Sequence, residues 1–161
     1  PCIPFDSLTS PGHLGRKYIF RARGILGSTG TPTFQLTLRL SATAGSGTIT
    51  GQVVGITAAM TAQSGVTAQP WWLNFEMWAT TTGTGANQVT LVNSGEVYSP
   101  GGLASPFVYA IQPTTPVSDT WTTANFDGGV TYWLNLDATC GTSNAANLMK
   151  CKGWDFWECD A

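Results

Sequence analysis

The chain is 161 residues long (17.0 kDa), one domain's worth of sequence and enough to bury a core without a structural metal or crosslinks. Charged residues make up only 10% of it, against about 25% in an ordinary globular protein. Because 42% is hydrophobic, that shortage points to a folded β-protein with uncharged walls rather than to disorder, and a net charge of −2 argues against nucleic-acid binding by phosphate neutralisation.

Residues 1–14 read as an N-terminal arm and 15–161 as a single domain. The chain starts at Pro1, which fits a removed initiator Met as well as a processed or truncated start, and no basic region followed by an apolar stretch suggests a leader. The only histidine, His13, sits in Ser10-Pro11-Gly12-His13-Leu14-Gly15, a turn. Residues 17–23 form the first strand expected, with Tyr18, Phe20 and Ala22 inward and Lys17, Arg21 and Arg23 mostly outward. The next, 33–40, has the clearest period of two: Phe34, Leu36, Leu38 and Leu40 share one face, and Thr33, Gln35, Thr37 and Arg39 the other. Gly27-Ser28-Thr29-Gly30-Thr31-Pro32 between them is turn-rich and predicts that the two strands pair antiparallel.

Further strands are expected at 48–56, 71–80, 88–96, 107–112, 130–139 and 148–159, each bounded by Gly, Pro, Asn or Ser. Gly45-Ser46-Gly47 and Gly83-Thr84-Gly85 precede strands rather than helices, so they read as hairpin connections and not phosphate loops. Helical periodicity is confined to 56–61, too short to form a stable helix. About eight antiparallel strands without βα alternation predict an all-β sandwich, best matched by jelly-roll topology. With no run of eighteen apolar residues, no membrane span is expected.

Several strands are apolar on both faces. In 71–80, Trp71, Leu73, Phe75 and Met77 face the core while Trp72 and Trp78 point away; Tyr132, Leu134 and Leu136 oppose Trp133, and Trp154 and Phe156 oppose Trp157. A sandwich has one interior, so the second set needs other cover: loops of the same chain, a sister subunit or a ligand. Trp72, Trp78, Trp133 and Trp157 are the candidates for a subunit interface. Charge is segregated too. Five of seven bases precede residue 40 and eight of nine acids follow residue 75, a pattern that suits packing between subunits or, by the simpler reading, strand pairing within one.

Reactive residues are few, and no enzyme or cofactor is expected. No Gly-x-Ser-x-Gly elbow accompanies His13. Glu76 and Glu96 lie on candidate strands and would form a glycosidase pair only if those strands are neighbours, but both stand on solvent-phase faces. Asn125-Phe126-Asp127-Gly128 reads as a turn rather than a calcium loop, and no Cys-x-x-Cys pre-forms a zinc site. Cys140 and Cys151 flank the loop between the last two strands and are expected to face each other across that ladder as a disulfide, while Cys2 and Cys159 would staple the ends. Four cysteines allow three pairings, and spacing does not choose among them. Such bonds would imply an oxidising final location.

Gly15-Arg16-Lys17-Tyr18-Ile19-Phe20-Arg21-Ala22-Arg23-Gly24-Ile25-Leu26, followed by Ser28-Thr29-Gly30-Thr31-Pro32-Thr33-Phe34-Gln35-Leu36-Thr37-Leu38-Arg39-Leu40, resembles a family of virion structural proteins of tailed bacteriophages. The likeness continues in Ala62-Gln63-Ser64-Gly65-Val66-Thr67-Ala68-Gln69-Pro70-Trp71 and in Leu134-Asn135-Leu136-Asp137-Ala138-Thr139-Cys140-Gly141-Thr142-Ser143-Asn144-Ala145-Ala146-Asn147. It implies a jelly-roll domain that forms homotrimers on the virion surface, a capsid decoration or cement protein whose partners are itself and the major capsid protein or another virion protein. Such a protein is assembled in the host cytoplasm and then carried outside on the particle. The aromatic, Cys-bearing stretch 150–160 is heavier than the family's pattern. A second expectation, from the exposed Trp faces, is a carbohydrate- or receptor-binding module of a phage fibre or tail, with a glycan as partner.

Overall fold

The computed structural model describes residues 2–3, 16–42, 51–81, 90–112, 120–122 and 131–159. Their strands are β1 (Cys2–Ile3), β2 (Lys17–Gly27), β3 (Thr33–Ser41), β4 (Gln52–Thr57), β5 (Met60–Thr61), β6 (Gln69–Thr81), β7 (Thr90–Tyr98), β8 (Val108–Gln112), β9 (Thr120–Thr122), β10 (Tyr132–Cys140) and β11 (Leu148–Cys159). No helix occurs among the described residues. All eight expected strands are present, and 56–61 holds the end of β4, a two-residue break and β5, with no helix. His13, Asn125–Gly128, the N-terminal arm beyond β1 and the two Gly-rich connections lie outside the described residues.

The strands make one antiparallel sheet in the order β1-β10-β3-β4-β8-β7-β6-β2-β11, with β5 beside β3 and β9 beside β7. Midway along this order β4 meets β8 only at Ile56–Thr57 and Ile111–Gln112, dividing the sheet into two halves, and the sheet curls into a sandwich-like fold. The two halves touch across the interior. A Cβ on Gly55 of β4 would lie 2.9 Å from the Phe75 ring on β6, and Asn93 Nδ2 on β7 donates to the Val54 carbonyl at 2.6 Å. The period-two residues fill the space between: Tyr18, Phe20, Phe34, Leu36, Leu38, Trp71, Phe75, Met77 and Leu134 are all buried. Where the sheet's two ends approach, Leu36, Trp71, Leu136, Ala138, Met149 and Cys151 line an apolar crevice of about 270 Å³.

Four strand pairs are nested in the sequence: β6 with β7 innermost, then the short β4–β8 pair, β3 with β10, and β2 with β11 outermost. Two expected pairings are therefore overturned. β2 and β3 do not pair; β2 lies between β6 and β11, and β3 between β10 and β4. Their short connection crosses the end of the fold instead of turning back in the sheet. It is held there by Ser28 N donating to Val66 O (3.0 Å), Ser28 Oγ to Gln63 O, and Ala62 N to Pro32 O (2.9 Å).

β10 and β11 do not pair either, since they lie towards opposite ends of the strand order. Cys140 sits opposite Phe34, and Cys151 opposite Gly24, so the expected bond between them does not form. Each thiol donates within its own segment instead, Cys140 Sγ to Thr142 O and Cys151 Sγ to Gly153 O. The second expected bond is absent as well. Cys159 is a free thiol at the end of β11, whereas Cys2 belongs to β1 at the other end of the order.

Candidate functional site

The outward face of β11, β2, β6 and β7 carries most of the polar chemistry. Alternation along β2 puts Lys17, Ile19, Arg21 and Arg23 on this face, because Tyr18, Phe20 and Ala22 are drawn into the core. The flanking strands supply the acids. Lys17 Nζ is 2.6 Å from Glu76 Oε2 on β6, and Arg23 reaches Asp155 on β11 at 2.7 Å. Just before β2, Arg16 meets Glu158 of β11 at 2.7 Å. Three of the five bases that precede residue 40 are thus ion-paired within the chain.

Arg21 lies over the Trp157 ring, 5.1 Å from its centroid, and its Nε donates to Asn74 Oδ1 at 3.1 Å. These contacts order the surface more than they stabilise the fold. Both partners of the Arg23–Asp155 pair are more than half exposed, so Asp155→Asn is expected to lower unfolding free energy by about 0.5 kcal/mol or less. Urea denaturation at low and high salt checks this, with the difference shrinking further at high salt.

Trp72, Trp78 and Trp157 all lie on this outward face, and Trp133 does not. Trp133 is on β10, opposite Ser41 of β3, in the other half of the sheet. Trp78 is half-buried opposite Lys17 and Val92, while Trp157 sits opposite Ile19. Trp72 is 44% exposed and lies opposite Arg23 on one side and Tyr98 on the other. Six residues separate Trp72 from Trp78 along β6, about 20 Å, so the face has two aromatic ends rather than one cluster. Trp154 departs from expectation. It takes the core-side phase opposite Ala22, yet is 54% exposed, because β11 has no described strand on its far side.

At the Trp72 end, a groove of about 410 Å³ runs between Arg23 and Asp155 on one side and Tyr98 and Val108 on the other, floored by Asn74 and Glu96. The Trp72 and Tyr98 rings stack across the β6–β7 ladder, 5.8 Å apart and 28° from parallel. A second depression of about 330 Å³ shares Asn74 and Glu96 and continues past Glu76 and Ser94. The two carboxylates do come to neighbouring strands on one open face. Glu76 lies opposite Ser94 and Glu96 opposite Asn74, with Glu76 already committed to Lys17.

Tyr98, Val108, Asn74 and Asp155 were not singled out by the sequence. Tyr98 was reachable, since Ser94, Glu96 and Tyr98 continue one alternating phase past the expected strand end. Among the described residues no group of three or more His, Cys, Asp or Glu is placed to hold a metal ion. The arrangement offers recognition: a flat aromatic platform beside fixed donors and acceptors on rigid strands. Comparison of the chain with protein families, curated proteins and solved structures found no match.

Proposed function

We propose that this chain is a structural protein of a tailed-bacteriophage virion: a non-catalytic jelly-roll decoration protein that sits as a homotrimer on the outside of the capsid and stabilises it through contacts repeated three times. The observation that carries the reading is that Trp72, Tyr98 and Trp157 stay exposed on the outward face of a sheet whose core is already filled, while Trp133 is half-buried in the other half. A cyclic trimer needs two different patches on every subunit, one to give and one to receive. Trp157 with Trp78 on the outward face, and Trp133 on the far half, are separate patches of that kind.

The nested strand pairs support the jelly-roll reading, since a long hairpin ribbon rolled upon itself pairs its strands in this way. The resemblance of the sequence to phage virion proteins points the same way. On the particle, the partners are sister subunits and the major capsid protein, and three linked weak contacts release slowly. The protein is made in the host cytoplasm and exposed once the virion leaves the cell.

Light scattering at micromolar concentration tests the assembly. The wild type is expected to run as a trimer, and Trp157→Ala and Trp133→Ala as monomers with unchanged circular dichroism. A monomeric wild type would overturn the proposal.

A second reading is favoured by the groove beside Trp72, which combines an exposed ring stack with polar side chains: a carbohydrate- or receptor-binding module of a fibre or tail.

A further inference from the structure

We propose that the trough along the outward side of β6 and β7 binds a neutral oligosaccharide, with the Trp72–Tyr98 stack as the platform for one sugar ring. The inference rests on the second reading above and names its ligand and site. A pyranose presents an apolar C–H face and a rim of hydroxyls that both donate and accept. It therefore needs a flat exposed ring edged by mixed polar groups that do not have to be reorganised. Trp72 and Tyr98 supply the ring, being 44% and 39% exposed and fixed against each other.

The polar edge is fixed as well. Arg23 is held by Asp155, and Asn74 Oδ1 is occupied by Arg21, which leaves Asn74 Nδ2 as a donor. Glu96 is exposed beside them as an acceptor. All of these stand on strands rather than loops, so little ordering has to be paid for on binding.

Charge and length select the class. Arg21 and Arg23 are balanced by Glu96 and Asp155 in the groove, so no net positive field attracts a phosphate or an acidic sugar. The groove of about 410 Å³ falls in the range of ligand sites. Its continuation past Asn74 and Glu96, a further 330 Å³, gives room for more than one ring. At the Trp78 end a lysine lies opposite the indole.

The full chain titrated with maltotriose, cellotriose, mannotriose and chitotriose, with sialyllactose as the anionic comparison, tests the site by calorimetry and tryptophan fluorescence. At least one neutral trisaccharide is expected to bind with a dissociation constant at or below about 1 mM. Trp72→Ala should weaken it about tenfold or more, and Glu96→Ala several-fold, while Asp137→Asn on β10 leaves it within about twofold. Circular dichroism and thermal melts establish that the variants are folded. Binding that survives Trp72→Ala, or a preference for sialyllactose, overturns this site and leaves the second reading standing. No binding of any neutral sugar overturns the site, and adsorption to host cells that resists glycan removal then separates a protein receptor from no receptor at all. The trimer measurement is independent of each of these results.

Discussion

Trp71→Ala is expected to lower the free energy of unfolding by about 3–5 kcal/mol, whereas the same change one residue later, at Trp72, costs about 1 kcal/mol or less. The two indoles are identical in chemistry and opposite in phase. Trp71 is 1% exposed in the core of β6, and its Nε1 donates to the Ile25 carbonyl at 3.2 Å. Removing the ring opens a void beside the 270 Å³ crevice it already lines and leaves that carbonyl without its donor. Trp72 faces water and loses only its stack on Tyr98. Since domains of this size are stable by about 5–15 kcal/mol, the first variant is close to failing and the second is not. Urea denaturation of the pair measures it; equal midpoints would refute the assignment of faces.

Gly24→Ala is expected to cost about 3 kcal/mol or more, or to prevent folding. Gly24 lies on β2 opposite Trp71 on one side and Cys151 on the other, where β11 slips by one residue between Cys151 and Gly153. A methyl there would overlap the Lys150 carbonyl and come within 2.8 Å of the Trp71 ring. Backbone stands in the way, so relief requires β11 to move, together with the outermost ladder it makes. Soluble yield and thermal midpoint report the effect, and a wild-type melt for this variant would show that β11 does not bulge as described.

Strand positions and their inward faces were legible in the sequence because alternation is a local signal. Phe34, Leu36, Leu38 and Leu40 declare their phase without reference to anything else in the chain. Partner choice was not legible. The connection 28–32 looks like a hairpin, and what makes it a crossover is hydrogen bonding to Ala62, Gln63 and Val66, thirty or more residues away. The Cys140–Cys151 pair failed for the same cause, since it assumed that strands adjacent in sequence are adjacent in the sheet, and Cys2–Cys159 failed because β1 and β11 lie at opposite ends of the strand order. Trp154 was misread because a period gives the side of a strand but not whether the strand lies at an edge. The simpler reading of the charge segregation held for Lys17 and Arg23, whose acids Glu76 and Asp155 stand on the two strands that flank theirs. The groove was half visible: Trp72 stood out, but its partner Tyr98 became a partner only through the β6–β7 register.

Nesting also governs how the molecule comes into being. β2 is made well before its outer neighbour β11, and Arg16 waits 142 positions for Glu158. Until β11 is translated, one flank of β2 lacks its mate, while β6 and β7 can already zip together at the centre. Nascent chains that stall before β11 therefore present a basic, half-dressed ribbon to their neighbours. Crowded synthesis should be the stage at which this protein is most prone to clump.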